Sequence, residues 1–112
     1  MYQLKDFKYG FCSYYALAYS VFHKKKEVIF IEEYDEEMEK YYFVHMAILE
    51  EEKFRDALGT YEKFEDMMDF TDIEVDKCRW NVFDVDKIKV FIEEDMGFFD
   101  EAIYQKAIQF VE

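Results

Sequence analysis

A cysteine becomes a nucleophile when its thiol can give up its proton, and the start of a helix favours that step. Cys12 stands in the stretch GFCSYYALAYSVFH, residues 10–23, at the head of an apolar run. The partial positive charge of a helix N-terminus lowers a thiol pKa, and the unpaired first-turn amides can receive an oxyanion. Gly10 permits a tight entry and close approach by a substrate. Attack on a carbonyl also needs a base beside the sulfur and a group that orients the base. The chain has two histidines. His23 lies at the far end of the same helix, about 16 Å from Cys12 at a rise of ~1.5 Å per residue, and is out of reach. His45 sits in the middle of the apolar run YYFVHMAIL, residues 41–49, where an imidazole needs a partner for its second nitrogen.

Asp56 is that partner. A symmetric turn at residues 50–53 sets Leu49 against Phe54, Ala47 against Asp56 and His45 against Leu58. His45, Ala47, Asp56 and Leu58 then share one face of a sheet, with His45 and Asp56 as diagonal cross-strand neighbours. The helix that starts at Cys12 packs across this face, and the sulfur opens to a cleft. A carboxylate on one imidazole nitrogen fixes the tautomer and leaves the other nitrogen to take the thiol proton. Taken singly, each residue has a plainer reading. A cysteine on an apolar helix is commonly a small core residue, a strand histidine is more often structural, and an aspartate near a hairpin is usually a turn residue. The ordered set Cys12, His45, Asp56 carries the argument.

These residues need a frame. Residues 11–23 read as a central helix, with Cys12, Tyr15, Ala16 and Tyr19 on one face and Leu17, Ala18 and Val21 on another. The HKKK that follows, residues 23–26, puts positive charge at its C-terminus. EVIFIEEY (27–34) is a β-branched strand, DEEMEK a charged connection, YYFVHMAIL a central strand, and FRDAL (54–58) the returning strand. TYEKFEDMMDF (60–70) reads as a short helix capped by Thr60, and DIEVDKCRWNVF (72–83) as a strand. In DVDKIKVFIEED, Val85, Ile88, Phe91 and Ile92 recur at helical spacing behind Asp84, although Ile88, Val90 and Ile92 also alternate as in a strand. Residues 100–112 form an amphipathic helix with Ile103, Ala107, Ile108 and Val111 inward. The expected architecture is α+β: one domain over residues 1–112, with a helix, an antiparallel sheet and terminal helices.

Composition narrows the function classes. Proline is absent and glycine occurs three times, so no linker divides the 112 residues and no glycine-rich phosphate loop is present. The net charge of -13 repels nucleic-acid phosphates, so direct nucleic-acid binding is not expected. A basic protein is the partner such a surface would attract. Two cysteines make no disulfide framework, and neither a cleavable signal nor a bilayer-length apolar segment is read, so the expected compartment is the reducing cytoplasm. The two cysteines and two histidines are too scattered for structural zinc. Asp84, Asp86, Glu93, Glu94 and Asp95 lack calcium-loop spacing. No metal or cofactor is expected.

GFCSYYALAYSVF followed by YYFVHMAILEEEKFRDALGTY resembles the papain-like superfamily in its small, transglutaminase-like or NlpC-like form. Members carry a cysteine at the N-terminus of a central helix with a small residue four positions on, here Ala16. A histidine on a following strand and an Asp or Asn on the next complete the pattern. Many small bacterial and phage members share the strand, turn, strand and Asp-x-x-Gly run. The resemblance covers residues 10–61 and implies Cys12 as nucleophile, His45 as base and Asp56 as orienter. It implies a cysteine peptidase, amidase or transglutaminase-like hydrolase or acyltransferase acting on an amide, isopeptide or thioester bond of a protein or peptide. The many tyrosines and phenylalanines read most simply as core, with Tyr14, Tyr15 and Tyr19 as candidate cleft walls. Gln3 stands nine positions before Cys12, farther than the glutamine that such enzymes use as an oxyanion donor. The charge carries a different alternative. An acidic, non-catalytic binding protein would occupy a partner's basic groove, as phage-type inhibitors of host proteins do.

Overall fold

The computed structural model describes residues 2–24, 27–69 and 73–112. Two of the three lysines in the basic run after the first long helix, Lys25 and Lys26, and Phe70 and Asp72 at the ends of two expected elements, lie outside the described residues.

The chain opens with a four-residue helix, α1 (Asp6–Tyr9), whose first turn Asp6 closes by accepting the Gln3 N–H at 2.8 Å. Helix α2 (Cys12–Phe22) follows directly and is buried along most of its length, as an apolar helix with few polar positions must be. Strands β1 (Glu27–Asp35) and β2 (Lys40–Glu50) form a long antiparallel pair. Asp35 organises their connection by accepting the N–H groups of Glu37 and Met38. Strand β3 (Lys53–Asp56) returns along β2 through a two-residue turn at Glu51 and Glu52, both at positive φ (51° and 65°). That conformation matches the twist of the flanking strands but normally selects Asn-Gly. The expected pairing of Leu49 with Phe54 is observed.

The chain then departs from the sequence expectation. The strand after the turn ends at Asp56, not Leu58. Ala57 and Leu58 form a second tight turn, and Leu58 is exposed rather than opposite His45. The cause is local: Asp56 Oδ1 accepts the Leu58 N–H at 2.9 Å, and Gly59 takes a φ of 152° that a side chain disfavours. Strand β4 (Gly59–Tyr61) comes back along β3, so Thr60 is a strand residue and caps no helix. Only α3 (Phe64–Met67) of the expected 60–70 helix forms. A 3₁₀ turn (Val75–Lys77) leads into β5 (Cys78–Phe83), which pairs with β1. The sheet order is β4-β3-β2-β1-β5, antiparallel throughout.

Helices α4 (Ile88–Met96) and α5 (Glu101–Val111) complete the mixed helix–sheet chain. Asp84 caps a 3₁₀ turn (Val85–Lys87) that runs into the first by accepting the Asp86 N–H, Gly97 at φ 89° closes it, and Asp100 caps the second. Helices α2, α4 and α5 cover one face of the sheet, packing on Val28, Met46 and Ile48. A smaller cluster on the other face joins Ile29, Ile31 and Ala47 to Met67 and Met68.

Candidate active site

Cys12 is the first residue of α2, as its position after Gly10 and Phe11 predicts. Its amide and that of Ser13 lie in the first turn, where a helix offers no internal acceptor. Tyr14 and Tyr15 N–H groups already bond Phe11 O at 3.1 and 3.2 Å.

Strand β2 is irregular beside His45. Phe43, Met46 and Ile48 pack toward the helices, whereas Val44, Ala47 and Leu49 belong to the opposite cluster. Residues three apart, 43 and 46, therefore share a face, which strict alternation forbids. A β-bulge absorbs the slip: His45 pairs with Ile31 and Phe43 with Glu32, leaving Val44 as the extra residue. The expectation that His45, Ala47, Asp56 and Leu58 share the helix-facing side is thus corrected. Ala47 faces away, Leu58 is a turn residue, and His45 sits at the bulge.

His45 Nε2 lies 3.2 Å from Asp56 Oδ2, and both side chains are about 1 % exposed. The ring also hydrogen-bonds the Cys12 thiol. With Nε2 on the carboxylate, Nδ1 is the nitrogen left for sulfur. Burial alone would pull the imidazolium down. The hydrogen bonds to Asp56 and Cys12 outweigh it and raise His45 to about 9, so the ring is cationic at neutral pH. Burial pushes the Asp56 carboxyl up, but the His45 hydrogen bond and charge, the Leu58 N–H and Lys8 hold it below its ordinary range.

Lys8 is the member that sequence reasoning missed. Its Nζ lies 3.2 Å from the same Oδ2, donates to Tyr61 Oη at 3.1 Å and stands 4.7 Å from the Tyr61 ring centroid. Only its placement four residues before Cys12 was visible, and Gly10 between them hides that α1 and α2 form one corner.

Other expected features fall elsewhere. His23 bonds Val111 O at the far end of α2, as expected from its distance. Gln3 is exposed and reaches α1 through its backbone alone. Tyr14 and Tyr15 are core residues, and the Tyr14 hydroxyl accepts the Asp100 N–H at 2.8 Å. The expected cleft does not open at the sulfur: Cys12 is 5 % exposed, within the apolar cluster of Phe7, Tyr15 and Ala16. Cys78 is a different thiol. Burial and the Glu33 carboxylate push it up to about 11, which disfavours its thiolate at neutral pH.

No family model, no curated protein and no solved structure matches this chain. Among the described residues no helix is long and apolar enough to cross a membrane.

Proposed function

We propose that the chain is a small papain-like thiol hydrolase or acyltransferase acting on an amide, isopeptide or thioester bond. The observation that carries this reading is the buried succession of Cys12 at a helix start, His45 at a strand bulge and Asp56 at 3.2 Å from the ring. In the reaction the proton of the Cys12–His45 pair already rests on the ring, and the Cys12 sulfur attacks the substrate carbonyl carbon as a thiolate. The first-turn amides receive the oxyanion. His45 gives its proton to the leaving nitrogen or sulfur, and a Cys12 thioester remains. Water or an amine then attacks the thioester, its proton passes to His45, and the Cys12 thiolate leaves beside the recharged ring. Asp56 holds the ring orientation throughout and stabilises the ring whenever it is protonated.

Alkylation by iodoacetamide, read site by site by mass spectrometry, tests the reading. Cys12 should modify faster than Cys78 at pH 7, and His45→Ala should slow it. Equal rates for the two thiols in the folded protein would overturn the proposal.

Two observations favour a second reading, an acidic protein that binds a basic groove. Cys12 is nearly sealed, and a cavity of about 450 Å³ is lined by Glu33, Tyr34, Asp35, Glu36, Glu37 and Glu74 with Lys77. Binding to a basic protein that strengthens as salt falls, in a chain whose Cys12→Ser variant binds equally well, would support it.

A further inference from the structure

The sequence places Lys8 among mixed charges at the start of the chain, yet its side chain is 5 % exposed. Lysine is almost never this buried unless something pairs with it. Here the pairing is unusual, because two cationic groups share one oxygen: Lys8 Nζ and His45 Nε2 each lie 3.2 Å from Asp56 Oδ2. The other carboxylate oxygen is fixed separately by the Leu58 N–H at 2.9 Å.

We propose that Lys8 is a positioning residue of the Cys12–His45–Asp56 chain: its ammonium keeps Asp56 ionised and competes with the His45 ring for Oδ2, setting how tightly His45 holds its proton. The inference rests on the acyl-transfer reading of those three residues. Its physical content is a balance. An ionised Asp56 favours a charged His45, and a second positive charge on the same oxygen disfavours it. Without Lys8 the carboxylate keeps its place through Leu58, and Oδ2 belongs to His45 alone. Among the described residues, charged groups that bear on the ring come from four elements. Cys12 faces it from α2 and Asp56 from β3. Lys8 on α1 acts through Asp56, with Tyr61 on β4 bonded to Lys8. Tyr15 on α2 also feels the Asp56 charge and accepts from Arg55 at 3.3 Å.

The experiment is an NMR titration of the His45 ring in the full-length protein, with His23 as internal reference. Lys8→Met should raise the His45 midpoint by about one unit, as expected for removing a unit charge at this range. Lys8→Arg, which keeps the charge, should leave it within about 0.3 unit on the same scale. A lysine with only a packing role would lower stability without moving His45, so an unmoved or lowered midpoint in Lys8→Met overturns the proposal. If Lys8→Met does not fold, Lys8→Gln retains a donor without the charge and must move His45 in the same direction. The readout does not depend on Cys12 reactivity. A raised midpoint beside an unreactive Cys12 would uphold the role of Lys8 and overturn the acyl-transfer reading, whereas a reactive Cys12 with an unmoved midpoint would do the reverse.

Discussion

Two lysines, at opposite edges of the sheet, each bridge two acceptors at nearly equal distances. Lys8 holds Asp56 at 3.2 Å and Tyr61 at 3.1 Å, and Lys77 holds Glu36 and Glu74 both at 3.1 Å. Their surroundings differ. The Lys8 and Asp56 side chains are 5 % and 1 % exposed, whereas Glu36 and Glu74 are 71 % and 64 % exposed. Water screens the second bridge and leaves the first unscreened. Distance therefore says little about what a charge pair contributes. Burial decides it, chiefly through the cost of leaving one partner alone.

The strongest attempt to break this contrast is Asp56→Ala. It strands a buried ammonium and a buried imidazolium together, and it should cost about 3–5 kcal/mol of unfolding free energy in chemical denaturation. A loss below about 1 kcal/mol would place the Lys8 cluster in the same class as a surface pair.

A smaller effect should follow from pH. The folded-state pKa of His45 is raised from an ordinary 6.5 to about 9, so its contribution is complete below about pH 6.5 and disappears as pH rises through about 9. Stability should decline across that window, and His45→Gln should flatten the decline. Asp56 runs the other way, its contribution being lost as pH falls below the ordinary carboxylate range. A stability profile that is flat from pH 6.5 to 9 in the wild type would contradict the charged His45.

The smallest effect belongs to Lys77→Ala, which should leave the thermal midpoint unchanged within error at physiological salt. A midpoint shift comparable to that of Asp56→Ala would erase the distinction between the two edges.

Much of the site was legible because its signals are local. Cys12 begins its helix where Gly10 and the apolar run place it, and Leu49 meets Phe54 because a two-residue turn leaves one register. Asp84 and Asp100 cap as short polar residues ahead of periodic apolar ones do. Asp56 was expected to pair with His45 for a reason that proved only half correct. The cross-strand proximity is real, but Leu58 turns away and Ala47 lies in the cluster opposite the helices.

What chain order and residue type settle in this protein is whatever depends on neighbours a few positions apart: the helix start, the hairpin register, the caps and the α+β class. The packed fold decides the rest. A bulge at Val44 cannot be read from an unbroken apolar run, since its cause is the fit of β1 and β2. Lys8 becomes part of the site only because α1 and α2 meet at a corner against β3 and β4, bringing residues 8, 56 and 61 together. The near-sealing of Cys12 has the same origin, because exposure belongs to the assembled surface and no local pattern encodes it.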